Sequence, residues 1–338
     1  MLFARRNRYS DIARIDRSLG EIESMGDDER EQLLIALREG CLELTERCGV
    51  GITPAQQAIA AVGQTSMPFP VEIDGWRNIP RDGCLLVCNH SNTHDIPLAS
   101  LALLKCGLPA TTMVATKGTS PIDLLAFKAA RHILIDRTDT HSRRRGLYEL
   151  AGKLAHGDTC VIFGEGTWNL HPFKPMQNLR IGAVMAAAIS GMPVVPTIFE
   201  YIEIPEVCST YSDLFSGCIV RFGKPITIDC HRGLVDQSNG IQTVMEAMRR
   251  IIWTRLGTHR TRASDVNPAI YVNHTWLKKF GVPGFTYDSE SESRILYTKP
   301  GEMVENEWHI NEGGVFCPGI TPKGPTARPW WRRSSSFG

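Results

Sequence analysis

The sequence has no excess of charge of either sign. Its 338 residues include 37 Lys and Arg against 36 Asp and Glu, which gives a formal net charge of +1. Such a chain produces no overall field that would attract nucleic acid, so its small basic clusters, such as residues 143–145, are interpreted as solvated surface. We therefore expect no nucleic-acid partner.

The sequence also lacks a long uninterrupted apolar run. The most apolar window, residues 183–199, is broken by Gly191, Pro193 and Pro196, where a membrane-spanning helix would be continuous. The short apolar start of the chain runs directly into two arginines, which is not the pattern of a signal peptide. These features predict a cytoplasmic protein whose contact with a membrane is peripheral, at the inner membrane face.

Paired cysteines of the CxxC type are missing, although the chain has ten cysteines. Without such pairs, the sequence does not indicate a structural zinc site. Several cysteines lie inside apolar runs, among them Cys84, Cys88 and Cys160. We therefore expect reduced cysteines in the core of a cytosolic protein, and no metal.

Apolar periodicity divides the chain into three regions. Residues 1–65 have apolar residues at helical spacing, which predicts an N-terminal helical cap. Residues 66–260 alternate short apolar runs with helical stretches, which predicts an α/β domain with a mostly parallel central sheet flanked by helices. Residues 261–338 are polar and rich in Gly and Pro, and they predict an irregular C-terminal extension.

Two histidines and an aspartate follow the apolar run of residues 84–88. His90 comes just after the predicted strand, and Asp95 lies in the first turn of the predicted next helix. Reacting groups gather at the carboxyl ends of parallel strands. If the two side chains fold back onto each other, the carboxylate holds one imidazole nitrogen, and the other nitrogen can take a proton from a hydroxyl or an amine.

Two other interpretations of this stretch stay open on these residues alone. One is structural, with a capping histidine and an aspartate at a helix start. The other is a metal-dependent hydrolase in which His90, His94 and Asp95 bind the metal ion. A reaction site is favoured by residues 163–167, Phe-Gly-Glu-Gly-Thr, because a tight glycine turn at a strand end exposes backbone N–H groups that can hold an oxyanion or a phosphate.

Four motifs follow one another along the chain: Asn89-His90-(x4)-Asp95, residues 133–137 (Ile-Leu-Ile-Asp-Arg), residues 163–167 and residues 194–196 (Val-Val-Pro). In this order they resemble the motifs of the glycerolipid acyltransferases, the lysophosphatidic acid acyltransferase-like superfamily. The resemblance covers roughly residues 68–230. It implies an α/β fold of the glycerol-3-phosphate acyltransferase type.

The resemblance implies a role for each matching residue. His90 would be the general base that deprotonates the acceptor, and Asp95 would orient its ring. Arg137 would contact the phosphate of the acceptor, for which a planar guanidinium is suited. The acceptor or the developing oxyanion would be placed by residues in and after the third motif: Glu165, Gly166, Thr167, Trp168 and Lys174.

The implied reaction passes a fatty acyl group from acyl-CoA or acyl carrier protein (acyl-ACP) directly to the hydroxyl of a glycerolipid-like acceptor, such as lysophosphatidic acid. It needs no metal and no organic cofactor. The sequence departs from the family pattern at Gly164, where proline is usual, and at Trp168, where a basic residue is usual. An amine or a non-phosphorylated acceptor is therefore the alternative, unless Lys174 or Arg180 substitutes for the lost basic residue.

Overall fold

The computed structural model describes most of the chain up to residue 256 and four short strands beyond it. The described residues are 19–45, 51–66, 69–90, 94–117, 119–166, 176, 178–203, 215–256, 285–287, 294–296, 309–311 and 314–316. They form one seven-stranded sheet, the helices around it, and a second sheet of four strands.

Seven α-helices are present in the described part of the chain. They are α1 (Asp27–Leu44), α2 (Pro54–Ser66), α3 (Asp95–Lys105), α4 (Pro121–Ala129), α5 (Thr140–Ala155), α6 (Gly182–Ser190) and α7 (Gln237–Leu256). Local chemistry explains where some begin: Ser120 caps α4 ahead of a proline, and Asp139 caps α5 by accepting two backbone N–H groups. None of the described helices is both long enough and apolar enough to cross a membrane.

The seven-stranded sheet is mostly parallel, as the alternation of apolar runs predicts. Its strands are β1 (Val71–Asp74), β2 (Cys84–Cys88), β3 (Thr111–Ala115), β4 (Ile133–Ile135), β5 (Thr159–Phe163), β6 (Val194–Glu203) and β7 (Phe215–Phe222), in the order β1-β7-β6-β2-β5-β3-β4. Only the β6–β7 pairing is antiparallel among these strands. The carboxyl ends of β2, β3, β4, β5 and β6 therefore meet at one edge of the sheet.

Helices cover both faces of this sheet. The side chains of β2 alternate between two apolar clusters: Leu85 and Val87 belong to the cluster that contains residues of α1, α5, α6 and α7, and Leu86 belongs to the cluster with residues of α2 and α3. A strand buried on both faces has no polar side, which explains why β2 is a continuous apolar run in the sequence.

The two N-terminal helices pack on opposite faces of the sheet. Leu37 and Cys41 of α1 belong to the cluster of α5 and α6, whereas Ala60 of α2 belongs to the cluster of α3. These helices are therefore parts of the two helical layers. The boundary of the helical cap at residue 65 stays a prediction.

The second sheet lies in the region predicted as an irregular extension, residues 261–338. Its strands have three residues each and pair antiparallel in the order β11-β10-β9-β8: β8 (Phe285–Tyr287), β9 (Arg294–Leu296), β10 (His309–Asn311) and β11 (Gly314–Phe316). The rest of this region lies outside the described residues.

The carboxyl end of α1 is held by a histidine that follows α5. His156 Nε2 donates to the carbonyl oxygens of Leu42 at 3.2 Å and Thr45 at 2.9 Å. We expect His156→Ala to lower the free energy of unfolding by about 1–2 kcal/mol, because carbonyls at a helix end lose their donor. Urea unfolding measures this loss.

The matched control for this test is His141→Ala, at an exposed position in the first turn of α5. Its free energy of unfolding should change by no more than about 0.5 kcal/mol. Equal losses in the two variants would contradict a role for His156 in holding α1.

Candidate active site

The side chain of Asn89 continues the pairing of β2 with β6 beyond the end of β2. The backbone ladder between these strands ends at Cys88 and Thr197. Asn89 Nδ2 then donates to Phe199 O at 3.2 Å, and Phe199 N–H donates to Asn89 Oδ1 at 2.8 Å. The buried amide thus acts as one more ladder position, which fixes where the chain leaves the sheet just before His90.

His90 and Asp95 meet where the chain passes from β2 into α3. His90 Nδ1 lies 2.8 Å from Asp95 Oδ2, and the Asp95 side chain has no exposed surface. Asp95 is the first residue of α3, where the positive end of the helix dipole favours a carboxylate. The sequence predicts this pair, and the structure brings its two side chains together.

An aromatic wall covers the imidazole of His90. The ring of Phe163 stacks on it at a centroid distance of 4.4 Å and an interplanar angle of 27°, and Phe199 lies 6.1 Å beyond Phe163. Burial lowers the pKa of His90 from its ordinary 6.5; the hydrogen bond and charge of Asp95 act against this, and the charge of Arg137 adds to it. The ring is therefore neutral at pH 7 and can accept a proton.

Glu165 of the third motif holds the backbone of His90. Its Oε1 accepts the His90 N–H at 2.7 Å, and the residue is buried. This carboxylate therefore ties the end of β5 to the end of β2. The resemblance implied a role in placing the acceptor; the structure shows Glu165 in contact with the general-base candidate itself.

The two glycines beside Glu165 are explained by the turn that they form. Gly166 has φ +71°, a left-handed conformation that suits glycine, and its N–H donates to Phe163 O at 3.0 Å. This amide is used within the turn, which differs from the expectation of an amide exposed for an oxyanion. At Gly164, a Cβ atom would lie 2.7 Å from Leu179 Cδ2, so the side chain of Leu179 takes the space that a proline would need.

Two arginines approach the same edge of the sheet. Arg137 follows β4 and is half-buried. Burial is the main cause that lowers the pKa of Arg137, and the positive charge of Arg180 lowers it further. Arg180 N–H donates to Gly164 O at 2.7 Å, and a Cβ atom at Gly166 would lie 3.2 Å from Arg180 Cγ. Arg180 thus lies over the glycine turn, close enough to Arg137 for their charges to interact.

The sequence did not single out Tyr201 of β6. Its hydroxyl donates to Asp95 Oδ1. The ring of Phe69 lies edge-on to the Tyr201 ring at a centroid distance of 6.3 Å. The available signal was the spacing of Phe199 and Tyr201, because residues two apart in a strand point to the same face. That spacing predicts that the two side chains share one face of the strand, but it does not predict that Asp95 binds the Tyr201 hydroxyl.

Three of the predicted site residues, Thr167, Trp168 and Lys174, lie outside the described residues. His94, a ligand in the metal interpretation, is half-buried at the N-cap of α3. In the described part of the chain, no three His, Cys, Asp or Glu side chains form a group that could hold a metal ion. The arrangement of His90, His94 and Asp95 therefore does not support the metal-dependent hydrolase.

Asn89→Asp tests the side-chain ladder position. The aspartate keeps an acceptor for the Phe199 N–H but faces the Phe199 carbonyl with an oxygen, so we expect the free energy of unfolding to fall by about 2–4 kcal/mol. Urea unfolding measures it. The control is Asn78→Asp, which loses one hydrogen bond to Phe222 O at a half-buried position. An equal or larger loss in the control would contradict the assignment.

Comparison with known proteins bears on what this site does. A family model described as acyltransferase matches residues 70–200. Among solved structures, the chain is similar to the 1-acyl-sn-glycerophosphate (LPA) acyltransferase PlsC from Thermotoga maritima, with 19% identity and a TM-score of 0.46 over 75% of this chain and 95% of that chain. A comparison with curated proteins gave no match. The family model agrees with the resemblance carried by the four motifs: residues 70–200, which include His90, Asp95, Arg137 and Glu165, match an acyltransferase domain.

Proposed function

We propose that this acyltransferase moves a fatty acyl group from acyl-CoA or acyl-ACP to a hydroxyl of a glycerolipid-like acceptor, such as lysophosphatidic acid. The observation that carries the proposal is the buried hydrogen bond between His90 Nδ1 and Asp95 Oδ2. It gives the family's histidine and aspartate the geometry of a general base and its orienting group.

The proposed reaction uses the second nitrogen of the His90 ring. Nε2 takes the proton of the acceptor hydroxyl while the hydroxyl oxygen bonds to the thioester carbonyl carbon. The tetrahedral intermediate then collapses, the carbon–sulfur bond breaks, and the leaving thiolate takes the proton back from His90. The products are the acylated acceptor and the free thiol, and the reaction needs neither a metal nor an organic cofactor.

The protonation state of His90 at neutral pH supports this chemistry. A general base must be unprotonated before it reacts, and burial keeps the pKa of His90 below 6.5. When the ring takes the proton, the Asp95 carboxylate stabilises the resulting imidazolium.

A phosphorylated acceptor is supported by the second arginine. The basic residue that the family has at the position of Trp168 is missing, but Arg180 lies over the Gly166 turn and its charge reaches Arg137. Two guanidinium groups at one edge of the sheet can share the charge of a phosphate that a single arginine would hold less tightly.

The proposal places the enzyme in the cytoplasm, in peripheral contact with the inner membrane face. Peripheral contact with a membrane is supported by the surface of α4, where Ile122 and Leu125 are 78% and 69% exposed. Lys128 follows on the same helix and is exposed, which suits an anionic lipid surface.

His90→Ala and Asp95→Asn test the proposed chemistry. With acyl-CoA and lysophosphatidic acid as substrates, we expect His90→Ala to lower kcat about 10³-fold, because general-base catalysis contributes about 10²–10⁴. Asp95→Asn should also lower kcat strongly, since the ring loses the carboxylate that orients and stabilises it. Thiol release with mass detection of the acylated product measures both rates.

The control is His141→Ala, an exposed histidine on α5 that should retain the wild-type rate. Near-UV circular dichroism shows whether each variant keeps its packing. Transfer at a near-normal rate by a folded His90→Ala protein would refute the base assignment.

Arg137→Gln and Arg180→Gln test the acceptor class. Each should raise KM for lysophosphatidic acid about tenfold or more, because a charge-assisted hydrogen bond to phosphate is lost. KM for monoacylglycerol, which lacks the phosphate, should stay within about twofold of the wild-type value. The control Arg143→Gln alters an exposed arginine of α5 and should affect neither KM.

Equal losses with both acceptors would contradict phosphate recognition by the two arginines. Transfer only to an amine or to a non-phosphorylated acceptor would keep the His90 chemistry and refute the proposed acceptor.

A further inference from the structure

The Asp95 carboxylate has a second partner besides His90. Its Oδ2 faces His90 Nδ1, and its Oδ1 accepts the hydroxyl of Tyr201. Both Asp95 and Tyr201 are buried, with 0% and 7% of their surface exposed. The two oxygens of this buried carboxylate are therefore bound by two different residues: Tyr201 on β6 and His90 just after β2.

Tyr201 is itself held firmly in place. It lies on β6 two residues beyond Phe199, whose backbone N–H and carbonyl oxygen both form hydrogen bonds with the Asn89 side chain. Phe69 contacts the Tyr201 ring edge-on. The phenol can therefore fix the direction of the carboxylate, because its own position is set by the sheet.

We propose that Tyr201 is a positioning residue of the active site: it holds Asp95 Oδ1 so that Oδ2 faces His90, and it stabilises Asp95 as a carboxylate while the imidazole carries the proton. No covalent step is involved. The effect on rate rests on the proposed acyl transfer, whereas the effect on His90 does not.

The groups around His90 and Asp95 determine how loss of the Tyr201 hydroxyl would change the pKa of His90. Among the described residues, the titratable or charged groups near His90 and Asp95 on the packed elements include His94, Arg137, Glu165, Cys88 and Cys218. Burial raises the pKa of both thiols well above 9.0, so they stay neutral. Without the phenol, more of the Asp95 charge acts on His90, and the proton on the ring becomes more stable.

Tyr201→Phe tests the proposal because it removes one oxygen and keeps the ring that contacts Phe69. Histidine side-chain NMR measures the titration of His90, whose signal is assigned by its absence in His90→Ala. The wild-type pKa should lie below 6.5, as burial requires. In Tyr201→Phe, we expect it to rise by about half to one pH unit.

The kinetic readout uses acyl-CoA and lysophosphatidic acid. We expect kcat of Tyr201→Phe to fall about tenfold with KM within about twofold, because the Tyr201 hydroxyl binds Asp95 and the residue is buried. The acid limb of kcat/KM, which reports the free enzyme, should move to higher pH together with the NMR titration.

The matched control is Tyr148→Phe, which alters another buried tyrosine, on α5 and 4% exposed. It should leave both the His90 titration and kcat at their wild-type values. An unchanged His90 pKa and kcat in Tyr201→Phe, with only a lower melting temperature, would show a purely structural hydroxyl and overturn the proposal. If the wild-type protein transfers no acyl group, the proposed function fails, and the NMR titration still decides the role of Tyr201.

Discussion

The buried carboxylate of Asp95 is the constraint on which the candidate active site depends. An ionised carboxylate without partners inside a protein costs several kcal/mol, so the fold must supply donors on both oxygens. Here they come from His90 at the end of β2 and from Tyr201 on β6, while the amino terminus of α3 adds its dipole. Because these partners belong to separate elements, the site forms only when the sheet and α3 are both in place.

Contacts at the edge of the sheet restrict the position of His90. β6 extends beyond the end of β2, and the side chain of Asn89 occupies the gap that this leaves in the ladder. On the other side, Glu165 at the end of β5 accepts the His90 N–H, and the ring of Phe163 covers the imidazole. Preorganisation of this kind favours catalysis, because the reacting group does not have to be ordered during the reaction. The same burial lowers the pKa of His90 and favours the neutral ring at pH 7.

Short-range features of the sequence predicted the pair of His90 and Asp95, since the two residues are only five positions apart, one after a strand end and the other at the next helix start. Arg137 was expected at the site from its match to the second of the four motifs. Local pattern did not predict how the glycine turn would use its amides: the Gly166 N–H donates to Phe163 O within the turn. It also did not predict that the two N-terminal helices pack on opposite faces of the sheet, because helical spacing identifies an apolar face and not its partner.

The sequence by itself determined the α/β class, the order of the four motifs and their resemblance to an acyltransferase family, because apolar periodicity and motif chemistry are local properties of the chain. Only the tertiary structure decided that Glu165 binds the backbone of His90, that Arg180 lies over Gly166, and that Tyr201 binds Asp95. These contacts join residues far apart in the chain: Tyr201 and Asp95 are separated by 106 positions. Their meeting depends on strand order and register, which arise from the packing of the whole sheet.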